Sequence, residues 1–272
     1  MVPASPRPPA ALRLYAWSDF ILASAARELR SRYARSLLGW VWLVLPPLVL
    51  IAIYALVFSQ LMRGAGALPD RGPFTYSIYL CAGLITWQWF SELLSRVAGL
   101  FTNHATLLKK TIVPWYALLA VDVLVTSFGL VVQSLLFALV LVAVDLWPGS
   151  RVLAFVPLVL CQALLAVGLG LGIAVLQVFF RDVALALPLV LQLWFWLTPI
   201  VYPLAAVPEA FQSFVQWNPL QPIAAGYQHI VLAPDIAASW PRIGIVGAFA
   251  VLLVLLSLRL LRRNQGPIRD EL

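Results

Sequence analysis

Long apolar runs separated by short polar breaks dominate the chain. Uncharged stretches cover residues 36–62, 152–180 and 183–208, of 27, 29 and 26 residues. Each exceeds the roughly 20 apolar residues that cross a bilayer as one helix. Three further apolar segments carry only isolated charges: Glu92 and Arg96 in the second, Asp122 in the third, Arg259 in the last. The pattern predicts an all-α membrane protein with six spans, at about 37–62, 74–100, 115–144, 152–180, 183–205 and 243–261. They form one transmembrane domain over 36–261. A Pro-rich tail at 1–17 and a predicted helix at 18–35 precede it, and a basic tail at 262–272 follows.

The helix at 18–35 has a different pattern. Ser18 or Asp19 caps its start. Leu22, Ala26, Leu29 and Tyr33 fall near one line at 100° per residue, with Arg27, Glu28, Arg30, Ser31, Arg32 and Arg35 on the other faces. A basic amphipathic helix before a span lies in the interface, its cations toward anionic headgroups. It is either a simple lipid anchor or a lever that also touches a cytoplasmic partner.

The stretch from Phe179 to Leu232 is the least regular. Pro188, Pro199 and Pro203 interrupt it, and Trp194-Phe195-Trp196 crowds three aromatics into less than one turn. After Glu209 the chain stays apolar through Trp217, breaks at Asn218-Pro219, and resumes from Ile223 to Leu232. Neither piece is long enough to cross alone. Two short helices broken by Asn-Pro predict a re-entrant hairpin at 207–232, of the kind tolerated where protein or water satisfies the backbone. The alternative is a tilted helix followed by an interfacial amphipathic segment.

Composition narrows the class. Hydrophobic residues make up 62% of the chain and charged ones 11%, against about 25% charged in soluble domains. The net charge of +7 therefore reports cations retained on one membrane side, and no nucleic-acid partner is expected. With both termini on one side, that side collects fourteen Arg and Lys, including Lys109 and Lys110, and the other collects Arg63, Arg71, Arg151 and Arg242. The rule places both termini, the 101–114 loop and Arg181-Asp182 in the cytoplasm, and the hairpin at the outer face. The first 35 residues lack the apolar core of a signal peptide. Cys81 and Cys161 lie in apolar runs without CxxC spacing and read as packing residues.

The chemistry-bearing candidates are few. Glu92 and Arg96 stand i,i+4 apart and can satisfy each other. Asp122, two turns into a span, is costly there and reads as functional unless water or a neighbouring helix meets it. Gly168, Gly170 and Gly172 predict a small-residue face for close helix packing. There is no GxxxxGK[ST] loop, no GxSxG, no HExxH and no pair of carboxylates at one depth, so no catalytic or metal residue is assigned. What remains is aromatic: Trp87, Trp89, Phe90, Trp194, Phe195, Trp196, Tyr202, Phe211, Phe214, Trp217 and Tyr227. Flat faces suit sugar rings that must slide. The same residues also concentrate at bilayer interfaces in any membrane protein.

One resemblance covers nearly the whole chain after the tail. The segment from Glu28 to Phe58 resembles the entry segment of permease subunits of polysaccharide-exporting ABC transporters, through Arg32, Tyr33, Ser36, Leu37, Gly39, Trp42, Pro47, Leu48, Tyr54, Val57 and Phe58. Lys109-Lys110 with Pro114, then Phe180-Arg181-Asp182, Thr198-Pro199-Ile200 with Tyr202, and Asn218-Pro219-Leu220 are similar to four more signatures, in order. Each motif is weak alone, and five in order are specific.

The resemblance implies a homodimer of six-span subunits, each engaging a separate P-loop ATPase subunit that binds the ATP and magnesium; this chain would hold no cofactor and catalyse no reaction. Coupling would pass through Arg27, Arg30, Arg32, Tyr33, Lys109, Lys110, Arg181 and Asp182. The cargo would be a lipid-linked polysaccharide such as O-antigen, exported across the bacterial inner membrane. Its channel and gate would use Trp87, Trp89, Phe90, Trp194, Phe195, Trp196, Tyr202, Trp217, Asn218, Pro219 and Tyr227. Many members carry Arg near Tyr227-Gln228-His229, and here that charge is absent, which leaves a neutral glycan open. The alternatives are an ABC permease for small amphiphiles and, further off, a membrane-embedded glycan-modifying enzyme.

Overall fold

The computed structural model describes residues 16–33, 74–110, 112–232 and 240–271, with isolated positions at 39, 41, 44–46, 48–49 and 52–53. The expected span at 37–62 therefore lies mostly outside the described residues. So do the tail at 1–15 and the loops at 63–73 and 233–239.

Among the described residues there are helices and no strand. In chain order they are α1 (Ser18–Tyr33), α2 (Thr75–Ala98), α3 (Leu100–Asn103), α4 (Ala105–Lys110), α5 (Trp115–Ala143), α6 (Phe155–Phe179), α7 (Asp182–Leu197), α8 (Glu209–Gln216), α9 (Leu220–Leu232), α10 (Trp240–Arg263) and α11 (Gln265–Glu271). Three are long and apolar enough to cross a membrane: α5, α6 with its leading 3-10 turn from Gly149, and α10. At 1.5 Å per residue even the shortest, α10, reaches about 36 Å against a core of about 30 Å.

The polar break expected at 101–114 is itself mostly helical, as α3 and α4. The basic C-terminal segment closes as α11, whose Ile268 is buried. The apolar segment expected to run to residue 205 stops as a helix at Leu197. Thr198 is extended there (φ −101°, ψ 127°), as the residue before a proline must be. The break at Asn218-Pro219 does separate two short helices, α8 and α9.

α6 is the centre of the bundle, packed against α2 on one side and α10 on the other. Its glycines explain both contacts. A Cβ on Gly170 would stand 2.7 Å from Val97 Cβ of α2, and one on Gly168 3.0 Å from Leu253 Cβ and Val254 N of α10. Gly172 faces Ser257 of α10. The three therefore do not form one face, as the sequence pattern suggested. Residues two apart on a helix point about 200° apart, so alternate glycines serve opposite neighbours. Ser257 Oγ donates to the Gly168 carbonyl at 2.6 Å, which is possible only at this close approach.

α1 docks differently from its sequence pattern. Ile21 and Ala25, not Leu22 and Ala26, are its buried residues, packed on Ala117, Val121 and Val125 of α5. Leu22 is 61% exposed. The helix has two adjacent apolar stripes about 100° apart, and α5 takes one while the other is left outward.

Gly170→Ala is expected to destabilise the purified protein by about 1–3 kcal/mol, because Val97 lies too close for a methyl to be absorbed. Gly129→Ala in α5, with nothing within 4 Å of the new carbon, is expected to be neutral or to stabilise by up to about 1 kcal/mol. Thermal unfolding of both variants in one detergent checks the pair; equal losses would refute the close-approach account.

Candidate functional site

Five charged side chains from three helices meet at one end of the bundle. Arg96 of α2 is the hub. Its guanidinium lies 2.7 Å from Glu28 of α1, 3.3 Å from Glu92 one turn back, and 3.1 Å from Asp122 of α5. Arg32 of α1 closes the circuit, 3.4 Å from Glu28 and 3.3 Å from Glu92. His104 Nε2, from the turn between α3 and α4, stands 4.0 Å from Asp122. The planar guanidinium, with five donors, is the side chain suited to three acceptors at once.

The arrangement answers two expectations. Glu92 and Arg96 do pair across one turn. Asp122, 3% exposed, is met by Arg96 from the neighbouring helix. A buried carboxylate with such a partner is tolerable, whereas an unpaired one is not.

The same end gathers the other basic segments. Gln177 near the end of α6 donates to Thr102 of α3 at 3.2 Å. Lys109 of α4 and Gln265 and Ile268 of α11 line one cavity of about 660 Å³. Lys109, Lys110, Arg181, Asp182 and Arg30 are exposed. Arg27 is exposed and donates to Ser24 Oγ at 3.0 Å. Arg32 is thus the coupling candidate committed to the ion network, and Tyr33 closes α1 beside it.

Away from the charges, a polar knot ties three signature residues together. Trp194 Nε1 donates to Asn218 Oδ1 at 2.9 Å. Asn218 Nδ2 donates to Thr198 Oγ1 at 2.8 Å, and that hydroxyl donates back to the Trp194 carbonyl at 2.8 Å. The Leu220 amide, in the first turn of α9, donates to Asn218 Oδ1 at 3.0 Å. One side chain thus satisfies the orphan groups at the end of α7 and the start of α9, where Pro199 and Pro219 prevent helix continuation.

α9 is then locked inward. Tyr227 is fully buried, its hydroxyl donating to Gln162 Oε1 of α6 at 2.9 Å, while Gln162 Nε2 donates to the Thr86 carbonyl of α2 at 3.0 Å. Gln228 Nε2 donates to the Ile200 carbonyl at 3.3 Å.

The aromatic candidates divide by position. Trp87, Phe90, Trp194 and Phe195 make one cluster, with ring centroids 5.5–6.4 Å apart. Within it Phe90 is fully buried, and Trp89 is buried separately. Trp89, Phe90 and Tyr227 therefore lie inside the subunit, not on a face that meets solvent or lipid. Trp196 and Trp217 point outward, the latter 87% exposed, as do Phe211 and Phe214 of α8. Tyr202 donates to the Trp196 carbonyl at 2.7 Å. Asn218 and Pro219 form the bend between α8 and α9.

Sequence reasoning missed the polar residues beside Glu92. Gln88, Ser91 and Ser95 follow the same i, i+3, i+4, i+7 stripe along α2 with Glu92 and line a groove of about 680 Å³ with Trp87, Gln192 and Phe195. The helical spacing was present in the sequence, but tryptophans and the charged pair obscure it.

A membrane protein that is helical over its described residues, with its described ion pairs gathered at one end where α1 is clamped to the bundle, is thereby defined. The chain belongs to the ABC-2 type transporter family, whose model matches residues 20–232. It is similar to the O-antigen export system permease protein RfbA of Myxococcus xanthus, 30% identical over 243 residues, covering 88% of this chain and 90% of that protein. It is also similar to an O-antigen export system permease protein RfbA of Klebsiella pneumoniae, 26% identical over 79% of this chain and 80% of that one. The polysialic acid transport protein KpsM of Escherichia coli is 25% identical over 88% of this chain and 91% of its own length.

Arg96→Gln leaves Asp122 without its guanidinium. The expected loss is on the order of 2 kcal/mol, below the roughly 3–5 of a fully buried pair because Arg96 is partly exposed. Adding Asp122→Asn should recover part of it, a non-additivity that thermal unfolding of the two single variants and the double variant measures. Trypsin should also cut α1 faster in Arg96→Gln, since Glu28 has lost its shortest partner.

Proposed function

We propose that this chain is the channel-forming permease subunit of an ATP-driven ABC exporter, moving a lipid-linked polysaccharide such as O-antigen from the cytoplasmic to the outer side of the bacterial inner membrane. Membership of the ABC-2 family and the names of the relatives support the transport class and the glycan cargo. ATP and magnesium belong to a separate P-loop ATPase subunit, and two permeases work with two ATPases.

The observation that carries the reading is the ion-paired attachment of α1 to α2 and α5. Arg27, Arg30, Lys109, Lys110 and Arg181 stand exposed around it as a docking face for the ATPase. A push on α1 reaches α2 through Arg32–Glu92 and Glu28–Arg96 without a flexible link. α2 lines the groove with its Gln88–Ser95 stripe, so motion at the charged end changes the groove's width. α7 exposes apolar side chains around its circumference, Leu185 by 80% and Trp196 by 57%, which suits an interface with the second copy. The six-span topology, cytoplasmic termini and re-entrant α8–α9 hairpin complete this reading, with the Asn218 knot as the fixed point of an outer gate.

A second reading has its own observation. An apolar groove of about 440 Å³ between α5 and α6, lined by Leu130, Phe137, Trp147, Phe155 and Val156, would take a small amphiphile from the bilayer. Export of such molecules is the alternative cargo.

Purification of the complex from native membranes should bring a stoichiometric P-loop ATPase whose hydrolysis is stimulated by lipid-linked glycan. Stimulation by small amphiphiles alone would select the second reading, and absence of any ATPase would remove both. Lys109→Glu with Lys110→Glu, and separately Arg32→Glu, should abolish export while the protein still inserts; normal export by these variants would sink the coupling assignment.

A further inference from the structure

We infer that the charged end of the bundle holds one anionic phospholipid, its phosphate on Lys109 in the cavity between α4, α5, α10 and α11, and an acyl chain in the cleft between α1 and α5. The site is independent of the cargo and goes beyond the exporter reading.

The first observation is a cavity at headgroup depth. It measures about 660 Å³, and its walls include Lys109, Trp115, Tyr116, Leu261, Gln265 and Ile268. Trp115 opens α5 and Leu261 lies in the last turn of α10, and both helices are long and apolar enough to cross a membrane. The cavity therefore sits where two spans leave the hydrocarbon. Trp and Tyr concentrate at that level, and the Trp115 and Tyr116 rings meet there edge to face, with centroids 5.9 Å apart. The charge has one sign. Lys109 is the one charged group among the described lining residues, with the Gln265 amide as a further donor. The framing segments, 105–110 and 259–271, hold Lys109, Lys110, Arg259, Arg262, Arg263 and Arg269 against Asp270 and Glu271. An ammonium meets a phosphate as a point charge, and basic pockets between membrane helices take anionic headgroups in this way.

The second observation is a place for the acyl chain. A cleft of about 540 Å³ shares Trp115 and Tyr116 with the cavity and runs between α1 and α5, past Ile21, Leu22, Leu119 and Val123. α5 lines it from Trp115 to Leu124, a rise of about 14 Å. That is the depth of one leaflet of a hydrocarbon core of about 30 Å. Leu22, 61% exposed, belongs to the stripe of α1 that α5 leaves uncovered, and Leu124 on the far wall is 40% exposed. A chain in the cleft covers both. A soluble ATPase reaches the mouth of the cavity but not a cleft sunk to the depth of a leaflet, so a lipid is the occupant that fits the two together. It gives α1 an attachment to the bundle beside its ion pairs.

The test reconstitutes the full chain in nanodiscs of equal parts phosphatidylglycerol and phosphatidylcholine, and native mass spectrometry counts the lipids that stay with the protein. One phosphatidylglycerol per chain should be retained in preference to phosphatidylcholine. Lys109→Gln should lower its retention about fivefold, as loss of one cation's attraction to an anionic headgroup requires. Lys109→Arg should restore it, a rescue that a misfolded variant cannot show. Ala120→Trp, which fills the cleft and leaves the cation in place, should lower it as well. Equal retention of the two lipids, or retention of phosphatidylglycerol at parental levels in Lys109→Gln, overturns the site. Retention of an added polyprenyl diphosphate in place of phosphatidylglycerol also overturns it, by making the cavity the cargo carrier's. Release of the lipid when the ATPase subunit is added overturns it by making the cavity that partner's surface. The readout involves no export, so the exporter reading stands whichever way it falls.

Discussion

Arg96 is the group on which the rest of the arrangement depends. Three helices bring carboxylates to one place, on Glu28, Glu92 and Asp122, and without a cation among them the site would repel itself apart. A guanidinium can serve all three because its donors are planar and fixed. The consequence is an ionic attachment of α1. α1 lies against α5 through only a few apolar residues, Ile21 and Ala25 foremost, so its attachment to α2 is ionic.

The remaining polar bonds serve the opposite need. The ring of Trp194, Thr198 and Asn218 holds two helix ends where prolines forbid continuation, and Tyr227–Gln162–Thr86 runs through the interior to pin α9 against α6 and α2. These are neutral hydrogen bonds in low dielectric, where breaking one strands a buried group. Between the two regions the glycines of α6 bring α2 and α10 to backbone distance. The molecule thus combines an ion-paired end with a hydrogen-bonded frame, and the groove along α2 and α7 lies between them.

Much of this could be read one residue at a time. The Glu92–Arg96 spacing, the break at Asn218-Pro219 and the family signatures are local features, set by a helix turn or by proline's missing N–H. The misreadings share one cause. Helix α1 has two apolar stripes, and periodicity cannot choose between Leu22 and Ile21. Gly168, Gly170 and Gly172 look like one small face until two different neighbours divide them. Tyr227 and Trp89 are aromatic and near polar signatures, yet burial removes them from any groove.

The amino-acid sequence by itself determined that the chain is helical and lives in a bilayer, that its cations are segregated by segment, and that it carries the ordered signatures of its family. Those follow from hydropathy, charge and short spacings, which are properties of neighbours along the chain. Only the tertiary structure decided that Asp122 is paired through Arg96, that α1 is clamped to the bundle, and that three glutamines share one groove. Each of these is a meeting of residues from different helices. The physical reason is that an ion pair or a groove depends on which faces pack together, and that choice is made by the competition among all helices at once.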